Sequence, residues 1–159
     1  MYRIRMEQSE VPVTGLVWLV SMRWRAAIDR VIAPLGLTNA QYAVVAPLLA
    51  MQRVGRRPTQ RELADFTGLE ALYVSKLARA LERAGLVERT GDPDDTRAVR
   101  LALTEQGRNV ATRAVTLVLG LQNELTAPLG GVKSPQTRAL VETLKTLLGE
   151  EIDATGEKK

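Results

Sequence analysis

Apolar residues recur at helical spacing from Val13 to Ile32, where Leu16, Val20, Trp24, Ala27, Ile28 and Val31 form one stripe that Pro34 and Gly36 bring to an end. This predicts a long amphipathic helix. Thr38 and Gln41 make a capping box, in which each side chain satisfies a backbone donor the helix start would leave unpaired, and open a second helix running to about Arg53 with a kink expected at Pro47. A basic loop, Val54 to Pro58, precedes a second capping box, Thr59 to Glu62, and a short helix ending near Phe66. The tight turn Thr67-Gly68-Leu69 leads into a third amphipathic helix from Glu70 to Ala84, which buries Val74, Leu77, Ala78 and Leu81 and stops at Gly85. The period then falls to two in Leu86–Arg89 and again in Ala98–Leu103, the pattern of a hairpin. Thr104 caps a helix carrying Val110, Ala114, Leu117, Leu121 and Leu125 to Pro128. Ser134 and Pro135 open a last one with Leu140, Val141, Leu144, Leu147 and Leu148, closed by Gly149. The tail, residues 150–159, is charged and aperiodic and is expected to be disordered.

Helix, glycine turn, helix and hairpin, in that order, predict a winged helix-turn-helix, so the fold class is mainly α with a small β-hairpin wing. Residues 38–104 form the lobe that can close a small core by itself. The broad apolar stripes on either side then need another surface, which a second copy of the chain supplies. On that reasoning residues 1–37 hold an N-terminal dimerisation helix and residues 105–149 the C-terminal dimerisation helices.

Composition removes more than it adds. The 159 residues contain no cysteine and no histidine, which excludes disulfides, thiol nucleophiles, histidine general bases and zinc sites of the usual kind. No metal or other cofactor is expected. The length is too short for two enzyme domains, and a net charge of +4 suits a polyanionic partner. No stretch reaches the roughly 20 apolar residues of a membrane span. Arg3 and Arg5 are followed by Glu7 and Glu10, and the apolar run Leu16–Val20 is too short for a secretion signal, so a cytoplasmic protein with no membrane partner is expected.

Two stretches carry candidate chemistry. In the third amphipathic helix Leu72, Ser75, Lys76, Arg79 and Arg83 fall three and four residues apart, opposite the buried stripe, with Tyr73 beside them. Cations, a hydroxyl and an apolar side chain on one face can meet phosphates, base edges and thymine methyls together, though a single basic helix face is also what solvent exposure selects. The second is the acidic turn in RTGDPDDTRAVRLALT, residues 89–104. Asp92-Pro93-Asp94-Asp95-Thr96 matches the short pattern of a haloacid dehalogenase phosphatase, but Glu88-Arg89-Thr90-Gly91 is not the apolar strand that must precede it. A calcium loop fails too, with Arg97 where glycine is required and Leu103 where glutamate is required. At a hairpin tip beside a recognition helix, Arg97 is instead placed for a DNA minor groove, and the aspartates bond turn amides and steer arginines, with Asp95 as the brace of Arg97.

The stretch PTQRELADFTGLEALYVSKLARALERAGLVERTGDPDDTRAVRLALTEQGR resembles the MarR family of bacterial transcriptional regulators, including the wing pattern Asp95-x-Arg97 followed by Leu103-Thr104, and PLGLTNAQYAVV resembles that family's second helix. The resemblance spans residues 13–149. It implies a homodimer that binds double-stranded DNA at a palindromic operator, a repressor in most readings, with affinity modulated by a small, often aromatic or phenolic effector. The DNA contacts it implies are Thr59 and Gln60 at the start of the short helix, Leu72, Tyr73, Ser75, Lys76, Arg79 and Arg83 on the recognition helix, and Arg97 on the wing. Leu72 and Tyr73 depart from the small or hydroxylated residues of many relatives. Trp18, Arg23, Trp24 and Tyr42 lie near where the resemblance implies an effector pocket, and aromatics with an arginine suit an aromatic acid. The competing reading is a winged-helix module whose basic face serves protein contacts.

Overall fold

The computed structural model describes residues 12–149. Six helices and one hairpin follow in the order α1 Val13–Ile32, α2 Asn39–Arg53, α3 Gln60–Thr67, α4 Ala71–Arg83, β1 Val87–Gly91, β2 Val99–Leu103, α5 Glu105–Leu125 and α6 Pro135–Leu148, with short 3-10 turns after α1 and α5. The fold is a winged helix-turn-helix flanked by long helices. The expected disordered tail lies outside the described residues.

Local chemistry accounts for the boundaries. Both predicted capping boxes are complete. The Thr38 hydroxyl accepts from the Gln41 amide while the Gln41 side chain accepts from the Thr38 amide, and Thr59 and Glu62 repeat the exchange. Gly68 ends α3 at φ 70°, the left-handed conformation that lets the chain turn at once into α4. α2 remains one helix through Pro47, from Asn39 to Arg53. The strands pair antiparallel with Val87 opposite Leu103 and Gly91 opposite Val99.

The core is built from Leu48, Val44 and Val45 of α2, Leu63 of α3, Val74 and Leu81 of α4, and Leu101 and Leu103 of β2, all fully buried. Each contributes about 1.5–3 kcal/mol by leaving water. Two polar ties hold this core to its hairpin. The Gln52 side chain accepts from the Leu103 amide at 2.9 Å and donates back to the Leu103 carbonyl at 3.3 Å, and the amide of Leu101 donates to the Pro58 carbonyl at 2.9 Å.

The lobe does not close by itself at residues 38–104. Ile32 of α1 and Ala111 and Ala114 of α5 are fully buried in the same core, because α1 and α5 pack on each other and on α2. Other apolar residues of the flanking helices are left bare, Leu117 and Leu119 of α5 among them. Val13, Trp18 and Val20 of α1 and Leu147 and Leu148 of α6 are exposed, and α6 buries no apolar residue.

Candidate nucleic-acid interface

α4 is positioned by its apolar stripe, with Val74, Leu77, Ala78 and Leu81 buried against α2, α3 and β1. At about 100° per residue the opposite face carries Leu72, Ser75, Lys76, Arg79 and Arg83. Leu72 is 85% exposed. Lys76, Arg79 and Arg83 are exposed, and among the described residues none has an ion pair. Tyr73 sits between the two faces, 42% exposed. The contrast is Arg89 on β1, whose guanidinium is spent internally on Glu82 at 3.3 Å and on the side-chain oxygen Oε1 of Gln60 at 3.3 Å.

The wing stands beside the start of α3 and α4. A cleft of about 410 Å³ separates them, lined by Thr59, Gln60, Arg61, Ala71, Asp95, Arg97, Ala98 and Val99. The hydroxyl of Thr59 caps α3 and the Gln60 oxygen holds Arg89, so Thr59 and Gln60 border this cleft with part of their hydrogen-bonding capacity already used. Arg61 lines it as well. Sequence reasoning passed over that residue, although its place in the first turn of a capped helix was visible.

The acidic turn differs from expectation in one respect. Asp95 does not hold the Arg97 side chain. Its carboxylate accepts from the Arg97 backbone amide at 2.9 Å, since a spacing of two residues in a turn brings a carboxylate onto the amide rather than out to the guanidinium. The ion pair in the turn is Asp92 with Arg100, 2.6 Å from Oδ2 to Nε. Asp92 is buried, and its other oxygen accepts from the amides of Asp94 at 2.8 Å and Asp95 at 3.3 Å. These bonds, that of the Asp94 amide first, and the Arg100 charge hold its carboxyl below the usual range against the opposing effect of burial. Among the described residues no group of three or more acidic side chains is arranged to hold a metal ion.

Of the four residues expected to line an effector pocket, Trp18 stands apart from the other three. Trp18 is 62% exposed and borders a shallow groove with Val13, Thr14, Val17, Ser21 and Leu147, and Arg23, Trp24 and Tyr42 line no part of it. Six residues separate Trp18 from Trp24, about 600° of helical rotation, so their rings leave α1 in different directions. Tyr42 packs on the core, and burial raises its phenol pKa. No single described helix is long and apolar enough to cross a membrane.

The MarR family model matches residues 35–98. Over 103 residues, 65% of this chain and 70% of the relative, the sequence is 33% identical to YdcH, an uncharacterized HTH-type transcriptional regulator of Bacillus subtilis (strain 168). The crystal structure of the M. tuberculosis transcriptional regulator MOSR in complex with DNA is 28% identical with a TM-score of 0.68, covering 87% of this chain and 97% of that one. A MarR-family transcriptional regulator from Rhodococcus sp. RHA1 is 26% identical with a TM-score of 0.73, covering 85% and 91%.

Proposed function

The chain belongs to the MarR family of transcriptional regulators, whose members are not enzymes, and from that premise we propose that it acts in the cytoplasm as a homodimeric repressor on a palindromic operator. The observation that carries the reading is the row Leu72, Ser75, Lys76, Arg79 and Arg83, with its three cations free of ion pairs among the described residues, on a helix set beside a wing that presents Arg97. α4 enters the major groove and Arg97 follows the adjacent minor groove. Thr59 and Gln60 lie at the phosphate backbone, where the N-terminus of α3 favours negative charge. The DNA complex of the M. tuberculosis relative supports the same partner here.

The homodimer draws its support from the bare apolar ends of α1 and α6. Modulation by a small, aromatic ligand draws its support from the family membership, and Trp18, which borders a groove without Arg23, Trp24 and Tyr42, is not required for it. Titration with an aromatic acid such as benzoate, followed by tryptophan fluorescence and by duplex affinity together, tests it.

The deciding experiment is duplex affinity against salt concentration, with footprinting on the DNA flanking the gene. Log K should fall with log salt at a slope near -0.9 per neutralised phosphate, about four or more phosphates for a dimer. A chain with no salt-dependent duplex affinity would instead use its basic face on a protein.

A further inference from the structure

Two carboxylates in the acidic turn do different things. Asp95 is exposed and organises one amide. Asp92 keeps only 5% of its side chain exposed and uses both oxygens, one on the turn and one on Arg100. Arg100 in turn reaches past the hairpin, its Nη1 donating to the Arg57 carbonyl at 2.7 Å. That carbonyl lies two residues before Thr59, the cap of α3, and Thr59 itself bridges to Arg100. One guanidinium therefore joins three parts: the start of the wing turn, the second wing strand, and the loop that opens the helix-turn-helix.

We propose that Asp92 and Arg100 form a positioning pair that fixes the angle of the wing to α3 and α4, and so places Arg97 in the minor groove. The inference rests on the DNA-binding reading above. A two-stranded hairpin has little stability of its own, and the buried apolar residues of this one, Val87, Leu101, Ala102 and Leu103, lie away from its tip. Its tip, residues 93–97, is exposed. A rigid fork with separate donors for a carboxylate and a carbonyl is what the geometry uses, and a lysine, with one point of charge, does not reproduce it. With two of its nitrogens committed inside the protein, Arg100 acts through Arg97 rather than on DNA.

The test is a double-mutant cycle on an A/T-rich labelled duplex long enough for two half-sites, measured at several salt concentrations. Arg97→Ala alone should weaken binding about tenfold, the worth of a charged hydrogen-bonding contact. Asp92→Asn should weaken it by a similar factor although it removes a negative charge, and its side-chain oxygen can still accept a turn amide. In the Asp92→Asn background Arg97→Ala should cost less than about twofold further, because its contact is already lost. Arg100→Gln, at a half-exposed position, repeats the cycle from the other partner of the ion pair, and circular dichroism melts confirm that binding is read on folded protein. Additive losses with DNA binding intact would overturn the pairing, and so would tighter binding by Asp92→Asn, which would leave charge repulsion as the whole effect. A wild-type chain without salt-dependent duplex affinity would overturn the DNA-binding reading itself, and the positioning role with it.

Discussion

At the scale of single residues, the proposed DNA-binding reading gives the exposed cations of α4 two roles that differ in what they cost. A lost phosphate contact weakens every duplex alike and lowers the salt slope by about one, whereas a lost bidentate base contact costs about 1–3 kcal/mol on the correct sequence only. Residues near the N-terminal end of a recognition helix meet the bases, so Lys76→Ala should lose affinity selectively on the operator. Arg79→Ala, one turn further on, should lose it equally on operator and random duplex. The reverse pattern would exchange the assignments. Titration behaviour is fixed by composition in the same way. The chain has no histidine, and Asp92, the carboxylate that ties the wing down, has a pKa below its ordinary value. A depressed carboxylate stabilises the fold above its unfolded pKa, about 3.9, and loses that contribution only as pH falls through the lower folded value. Duplex affinity should therefore be flat from about pH 5 to about pH 7, and a step in that window would show that a carboxylate or another group titrates there on binding.

At the scale of elements, the junction of wing and α5 depends on one missing side chain. A Cβ built on Gly107 would run into the Leu86 carbonyl, the oxygen that also accepts the Thr104 amide at 3.1 Å. Gly107→Ala should destabilise by about 1–3 kcal/mol, despite an intrinsic helix preference for alanine of about 1 kcal/mol, and thermal melting reads the sign directly. A raised melting temperature would mean that α5 slides away freely. The helix starts, in contrast, were legible in the sequence, because a capping box is a contact between residues three apart and both boxes are written out in the chain. The recognition-helix face was legible for the same reason, its periodicity being local. The pairing of Asp92 with Arg100 was not read, since it is diagonal across the hairpin and follows only once Thr90 is set opposite Arg100, whereas Asp95 and Arg97 drew attention as near neighbours. The division of the flanking helices was hidden too. Periodicity marks a stripe on α1 as apolar without saying that Ile32 meets the lobe while Trp18 stays largely exposed at the edge of a groove.

At the scale of the whole molecule, the unburied apolar surface decides how two DNA-reading elements are linked. Leu147 is 69% exposed and Leu148 63%, at the end of a helix that barely touches the rest of the described chain, and Trp18 and Val13 stand across the groove that Leu147 borders. Side chains of this size left in water cost about 1.5–3 kcal/mol each relative to burial, and a two-fold partner presenting the same surface covers them on both chains at once. In the proposed dimer two copies of α4 would lie about 34 Å apart, one turn of the duplex, and the second half-site would be bound at an effective concentration in the millimolar range. Leu147→Glu places a charge in that interface without touching the lobe core. It should convert the protein to a monomer in sedimentation while circular dichroism keeps its helical signal. Affinity for a duplex carrying both half-sites should fall about a hundredfold or more, with little change on a single half-site, because each lobe keeps its own contacts and loses only the tether. A variant that stays dimeric would move the interface off α6, and a monomer that binds both duplexes as tightly as the parent would separate DNA recognition from dimerisation.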